Sequence, residues 1–167
     1  MSGCAGIEKH VDIEDWDVQP DLTAQGDMKQ VEPILRVAHA TRARGDYVTA
    51  AALYRRAHEL AREAAKGGVR AARWLAAAAC DRWLMYQGKP QKYGTQFVPD
   101  GVRYRLWDTD PLTTDAERRT WDVPPWEAQL RRAEEMTRRE QQPDMDEAPR
   151  WLRDAIERWN GEEGGGV

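Results

Sequence analysis

The sequence has few of the residues on which most functional assignments depend. Its 167 residues include only two cysteines, Cys4 and Cys80, too few for the disulfide framework of a small secreted domain. No apolar run approaches the roughly 18 residues that a membrane-spanning helix needs. No apolar stretch precedes Cys4, so we expect no secretory or lipoprotein signal. The sequence therefore predicts a cytoplasmic protein that does not bind or span a membrane.

Standard catalytic motifs are also missing. The sequence has no Gly-x-Ser-x-Gly elbow, phosphate-binding loop, His-Glu-x-x-His motif or dinucleotide fingerprint. The three histidines, His10, His39 and His58, lack the spacing of metal ligands. His39 and His58 could face each other across a helix hairpin, although histidines bonded to a neighbour in the core are commoner. We expect no metal and no cofactor.

The net charge of −4 conceals an uneven distribution along the chain. Residues 1–32 carry a net charge of −6, residues 33–107 carry +9 and residues 108–167 carry −7. A basic centre can attract a small polar or anionic molecule, or the acidic ends can fold back and neutralise it. Nucleic acid is not an expected partner, because acids outnumber bases overall and no nucleic-acid-binding motif is present.

Apolar periodicity, together with glycine and proline, predicts a mostly helical protein. The first helix is predicted to start after Gly26, with Asp27 as its N-cap, and to reach about residue 44, with its firm part at 33–44 because Pro33 interrupts it. The other helices are predicted at about 47–66, 69–86, 124–139 and 146–159, with a short helical turn at 115–120. Gly45 ends the first helix, and Asp46 caps the second. Residues 74–80 are apolar on every side, which is typical of a central, surrounded helix. We expect an all-α, single-domain bundle of about five helices, closed by an irregular segment at 87–114. Within that segment, the partly alternating apolar residues of 98–114 could form a short strand or an extended loop.

The ends of the chain have a different composition from the middle. Residues 1–26 are acidic and lack periodicity, so we expect an extended arm. Residues 27–160 would form the helical domain. Residues 161–167 are rich in glycine and acid, which predicts a disordered tail.

The most informative block of the sequence is residues 87–97. It contains two Gly, one Pro, three Gln and one Tyr directly after the long apolar helix. Such a segment cannot continue the helix, and it places polar side chains and backbone along the edge of the core. Gln91, Tyr93 and Gln96 are candidates to hydrogen-bond a polar ligand, and Lys89 to bind an anionic group. Alternatively, the Gln and Thr side chains satisfy the backbone of the loop itself.

Asp81 is the candidate catalytic acid or base. It follows seven apolar positions and is expected to be buried, where a carboxylate must be paired or its pKa rises. It could act as a general acid or base, or it could tie down the loop through backbone N–H groups. Arg118 could supply a counter-charge to Asp81 or hold a ligand carboxylate, or it could lie on a solvated helix face.

These residues carry a resemblance to a family of bacterial proteins of unknown function. It rests on the following residues, in chain order: Asp81-Arg82, Gly88-Lys89-Pro90-Gln91, Tyr93-Gly94-Thr95-Gln96, Glu117-Arg118-Arg119 and Pro124-Pro125. It covers about residues 66–135. The family often carries a His in an upstream helix, for which this chain offers only His39 or His58 as substitutes. The resemblance implies that Asp81, the loop residues and Arg118 belong to one site.

The sequence supports two hypotheses about function. The first is a small-molecule site, which could belong to a ligand-binding protein or to a metal-independent acid–base enzyme catalysing a cyclisation, elimination or hydrolysis. In the enzyme, Asp81 would move the proton, Tyr93 would donate to a developing oxyanion and Arg118 would hold an anionic group.

The second hypothesis is a protein-binding module. Gly45-Asp46-Tyr47 and the following helix resemble one tetratricopeptide hairpin over residues 33–66. Only one unit is visible, whereas stacked repeats need about three to be stable. In this hypothesis, Tyr47 and Tyr54 would present a groove to a partner peptide.

Overall fold

The computed structural model describes residues 26–164, and this part of the chain is mostly helical, as predicted. Within it lie six α-helices, two short 3-10 helices and one two-stranded sheet. The helices are α1 (Val31–Ala43), α2 (Tyr47–Lys66), α3 (Ala71–Met85), α4 (Asp115–Thr120), α5 (Trp126–Arg139) and α6 (Arg150–Gly164). The strands are β1 (Phe97–Pro99) and β2 (Tyr104–Leu106). The predicted arm lies almost wholly outside the described residues.

The first three helices form one packed layer in which α2 contacts both α1 and α3. The turn between α1 and α2 is made by Gly45, whose φ of +80° is left-handed and favours glycine. Asp46 then caps α2, since its carboxylate accepts a hydrogen bond from the backbone N–H of Thr49 at 3.0 Å. Both boundaries agree with the prediction.

Helix α3 is the central helix of the protein. Every residue from Leu75 to Arg82 is buried, as expected for a helix that is apolar on all sides. The residues of α2 that face it are mostly alanines, including the fully buried Ala57 and Ala61, which allow the two helices to approach closely. Tyr54 is the one large side chain on this face of α2 that is fully buried.

The segment after α3 departs from the predicted all-α fold. Residues 97–106 form an antiparallel pair of strands in which Phe97 faces Leu106 and Pro99 faces Tyr104. The turn between them is held by Asp100, whose carboxylate accepts hydrogen bonds from the backbone N–H groups of Val102 and Arg103 at 2.9 and 2.8 Å. Of the two possibilities expected for residues 98–114, a short strand or an extended loop, the structure has the strand, because strand pairing satisfies a backbone that cannot join a helix.

The last two helices cover this sheet. Helix α5 packs against β2, and α6 buries Leu152, Ala155 and Trp159 against the core. Helix α6 continues to Gly164, beyond the predicted end of the domain at residue 160. The extension is held by Glu163, which accepts a hydrogen bond from Arg103 at 2.7 Å. The predicted disordered tail is therefore corrected for residues 161–164, while 165–167 lie outside the described part.

No helix within residues 26–164 combines the length and the apolar character needed to cross a membrane.

Candidate functional site

Asp81 anchors the loop that follows α3. One carboxylate oxygen accepts hydrogen bonds from the backbone N–H groups of Lys92 at 2.8 Å and Tyr93 at 2.9 Å. The other oxygen accepts from the backbone N–H of Thr95 at 3.0 Å and from its hydroxyl at 2.8 Å. Asp81 is fully buried, as predicted, and four donors of the loop converge on it. This geometry is that of a structural acid.

The environment of Asp81 has two opposing effects on its pKa. Burial has the larger effect and raises the pKa of the carboxyl above its ordinary value, although the hydrogen bonds donated by Tyr93, Thr95 and Lys92 lower it in part. Three of the four partners are backbone N–H groups, which can only donate, so the hydrogen bonds themselves favour the ionised form. Asp81 is placed to hold the loop rather than to pass a proton to a ligand.

The carbonyl groups of the same turn are held from the opposite side. The guanidinium of Arg118 donates from Nε to the carbonyl of Tyr93 at 3.0 Å, and the amide of Gln129 donates to the carbonyl of Gly94 at 2.7 Å. Arg118 also donates to the carboxylate of Asp115 at 2.9 Å. The N–H groups of the turn at 92–95 are thus bound by α3, and its carbonyl groups are bound by α4 and α5.

Gln91 satisfies backbone groups on both sides of the loop. Its side-chain amide donates to the carbonyls of Gln96 at 3.0 Å and Trp107 at 2.8 Å, and its side-chain oxygen accepts from the N–H of Gln96 at 2.8 Å. The Gln91 side chain is completely buried. The hydrogen bonds of this amide are made within the protein, so Gln91 shapes the loop.

Tyr93 and Lys89 occupy different surroundings. Tyr93 is buried beside Trp121, and burial raises the pKa of its phenol well above the ordinary value, so the hydroxyl stays neutral. Lys89 is exposed and donates to the side-chain oxygen of Gln87 at 3.1 Å. The structure therefore brings Asp81, Gln91, Tyr93, Gln96 and Arg118 together around one turn, with Lys89 at its outer edge.

A chain of hydrogen bonds leads from Asp81 to Arg82 through the loop. The hydroxyl of Thr95 donates to Asp81 and accepts from the side-chain amide of Gln96 at 2.9 Å. The side-chain oxygen of Gln96 accepts from Nε of Arg82 at 3.1 Å. These four side chains are buried, so the carboxylate and the guanidinium are linked through polar groups rather than through water.

Next to Arg82 lie two residues of the first two helices, His39 of α1 and Tyr54 of α2. The guanidinium carbon of Arg82 lies 5.4 Å from the ring centre of Tyr54. The hydroxyl of Tyr54 lies 2.7 Å from Nδ1 of His39, which is half-buried on α1. We call these three residues, contributed by α1, α2 and α3, the His39 cluster.

The imidazole of His39 is held in its neutral form. Burial lowers its pKa to about 3, and the positive charges of Arg82 and Arg42 act in the same direction. Its second nitrogen, Nε2, makes no hydrogen bond with the residues that the structure describes. Nε2 of His39 is therefore without a partner among the described residues.

His58 has a different role from His39. Its Nδ1 lies 2.8 Å from the carbonyl of Ala76, which can only accept, so the nitrogen carries the hydrogen and donates. Burial also lowers the pKa of His58. His39 and His58 thus bond to separate partners on different helices and do not form the pair considered from the sequence.

Four contributors to this region were not predicted as residues of the small-molecule site: Tyr54, Arg82, Thr95 and Gln129. The sequence indicates Thr95 only as a residue that satisfies the loop backbone and Tyr54 only as part of a protein-binding groove, because their partners at this site are distant in the chain. Gln129 lies three residues after Trp126 and four before Ala133, which places it on the buried face of α5. A polar residue on such a face signals a buried hydrogen bond, and this could have been recognised.

The two tyrosines of the α1–α2 hairpin differ in burial. Tyr54 is fully buried and does not present its ring to a partner peptide. Tyr47 is half-buried, and its ring packs against Tyr86 at 5.2 Å and Trp151 at 5.7 Å between ring centres. The protein-binding hypothesis stays a prediction.

Within residues 26–164, no group of three or more His, Cys, Asp or Glu side chains could hold a metal ion.

Comparison of the chain with protein-family models, curated proteins and solved structures finds no match. The resemblance to a bacterial family therefore stays a prediction, and a function can be inferred only from the geometry of the site.

Proposed function

We propose that the protein binds a small polar molecule with an anionic group at the His39 cluster, without a metal or cofactor. The observation that carries this proposal is the 2.7 Å hydrogen bond between the Tyr54 hydroxyl and His39 Nδ1, beside the buried guanidinium of Arg82. Perturbed titratable groups on converging elements are typical of functional sites.

The accessibility of His39 supports a ligand at this position. The residue is half-buried, and its Nε2 has no described partner. If Nδ1 accepts from the Tyr54 hydroxyl, Nε2 of the neutral ring carries the hydrogen and donates. If Nδ1 donates, Nε2 accepts. In either tautomer the cluster offers one directed hydrogen bond to a ligand.

The electrostatic surroundings support an anionic group on that ligand. Arg82 and Arg42 both lie close enough to His39 to lower its pKa by their positive charge. Positive charges beside the imidazole favour an anionic group on a ligand bound there. A carboxylate or phosphate next to Nε2–H would also form a charge-assisted hydrogen bond, which is stronger than one between neutral groups.

The pKa of His39 decides which chemistry is better supported. A general base works best with a pKa near the operating pH, whereas that of His39 is about 3. A neutral imidazole that donates a hydrogen bond can instead polarise a carbonyl group. Asp81, the base expected from the sequence, already accepts four hydrogen bonds from the loop. Binding, or polarisation of a bound carbonyl, is therefore favoured over proton abstraction.

The test is a ligand screen with matched histidine variants. A panel of small carboxylates and phosphates is added to the protein, and thermal unfolding and NMR shifts report binding. We expect a ligand that raises the melting temperature of the parent and moves the His39 resonances. His39→Ala should lose this response, and His58→Ala, the control on the neighbouring helix, should keep it. A panel with no ligand, or binding that survives His39→Ala, would overturn the proposal.

A further inference from the structure

We propose that Asp81 and Thr95 are positioning residues that act through Gln96 to hold Arg82 beside the Tyr54–His39 pair. The inference rests on the proposed function, because it explains how the loop block serves the His39 cluster. It also gives a role to residues that the cluster itself does not contain.

The directions of the hydrogen bonds in this chain are set by its two ends. A guanidinium has only donors, so the Gln96 atom 3.1 Å from Arg82 Nε must be the side-chain oxygen. The other end of the same amide then donates to the hydroxyl of Thr95 at 2.9 Å. Because that hydroxyl accepts from Gln96, its own hydrogen goes to the carboxylate of Asp81 at 2.8 Å. One arrangement of donors and acceptors accounts for all three hydrogen bonds.

The link is needed because of the geometry of α3. Asp81 and Arg82 are consecutive, so their side chains leave the helix about 100° apart and face different neighbours. The loop bridges them, since Thr95 binds the acid and Gln96 binds the guanidinium. All four residues are at most 1 % exposed, and water is therefore not available to replace a missing partner. The position of the guanidinium thus depends in part on an acid on another side of the helix.

Variants of Thr95 distinguish the positioning of Arg82 from simple anchoring of the loop. Three backbone N–H groups, those of Lys92, Tyr93 and Thr95, bind Asp81 independently of any hydroxyl. Thr95→Val keeps these bonds and the approximate shape, and it removes only the hydroxyl that joins Asp81 to Gln96. Thr95→Ser restores a hydroxyl. Gln96→Met breaks the same chain at its next link.

The readout is His39, which is contacted or influenced by a group from each packed helix: Arg42 of α1, Tyr54 of α2 and Arg82 of α3. We measure the NMR titration of His39 and the exchange with solvent of the Arg82 Nε hydrogen. Thr95→Val and Gln96→Met should shift the His39 titration to higher pH and speed exchange at Arg82. Thr95→Ser should return both toward the parent values.

The outcomes separate this inference from the proposed function. A Thr95→Val variant that folds and leaves both His39 and Arg82 unchanged would overturn the positioning role, even if a ligand binds. If Thr95→Val does not fold, Gln96→Met supplies the same measurement. Conversely, changes at His39 and Arg82 in a protein for which no ligand is found would support positioning while the binding proposal fails.

Discussion

The hydroxyl of Tyr54 and Nδ1 of His39 are 2.7 Å apart, although the two residues belong to successive helices and are separated by 15 positions. The rings meet edge to face, with their centres 5.5 Å apart. At this contact α1 and α2 meet, and Arg82 of the central helix α3 packs against the Tyr54 ring. Four predictions test this contact, the loop bound to Asp81 and the helices around them.

Tyr54→Phe removes the hydroxyl and leaves Nδ1 of His39 without that partner. We expect a loss of about 1–3 kcal/mol in the free energy of unfolding, the usual cost of an unsatisfied buried polar group. Urea denaturation measures this loss, and NMR should show altered His39 resonances. Tyr104→Phe is the matched control, because its hydroxyl donates to the carbonyl of Gln141 far from the cluster. It should destabilise the protein without moving His39, and an equal effect of both variants on His39 would contradict the prediction.

Asp81→Asn replaces a carboxylate, whose two oxygens accept four hydrogen bonds, by an amide, whose nitrogen can only donate. An amide N–H would face N–H or O–H donors of the loop, so at least one bond becomes a repulsion. We expect the free energy of unfolding to fall by about 3–5 kcal/mol, as for a buried charge network that loses a partner.

The control for Asp81→Asn is Asp46→Asn at the exposed start of α2. Asn caps a helix about as well as Asp, so the change there should be a few tenths of a kcal/mol. Denaturation of both variants decides the matter. A fully stable Asp81→Asn protein would instead mean that the carboxylate is not what holds the loop.

Stability should depend on pH through His39. Its pKa is about 3 in the folded protein and near 6.5 in the unfolded chain, so the unfolded state binds the proton first as the pH falls. The contribution is therefore fully present above about pH 6.5 and is lost progressively toward pH 3. His39→Gln should flatten the pH dependence of the unfolding free energy in this window. Because the pKa of His58 is also lowered, His58→Gln should flatten it in part. An unchanged profile for His39→Gln would refute the assignment.

Two glycines should respond to alanine in opposite ways. Gly94 has a φ of +82°, and a methyl group there would meet Trp126 at an ordinary 3.6 Å, so the backbone rather than space decides the cost. We expect Gly94→Ala to destabilise by about 1–2 kcal/mol. Gly161 lies inside α6 with open space around it, and Gly161→Ala should stabilise by about 0.5–1 kcal/mol. Thermal unfolding of the two variants side by side shows whether the signs differ.

Much of the helical layout could be predicted because its signals are local. Gly45 and Asp46 mark the turn between α1 and α2 within the chain itself, and the apolar run before Asp81 indicates that α3 is surrounded. The same run predicts that Asp81 is buried. Of the two roles considered for a buried Asp81, the structural acid that binds loop N–H groups is the one that its hydrogen bonds match.

The rest depends on contacts between distant segments. Nothing near His39 in the sequence indicates that Tyr54 and Arg82 meet it, because the meeting requires three helices to pack in one relative orientation. The pairing of Phe97 with Leu106 and the extension of α6 by Arg103 and Glu163 are likewise decided by tertiary contacts. Local composition predicts a loose end at Glu163, whereas in the structure this residue lies within α6 and bonds to the distant Arg103.

The hydrogen bonds between the loop and Asp81 should slow the opening of the loop. Loop amides ordinarily exchange their hydrogens quickly, because local fluctuations expose them. The amides of Lys92, Tyr93 and Thr95 are bonded to a carboxylate at the centre of the molecule, and Asp81 cannot withdraw without disturbing α3. These three amides should exchange as slowly as those of α3, so a segment without regular structure should open only together with the central helix.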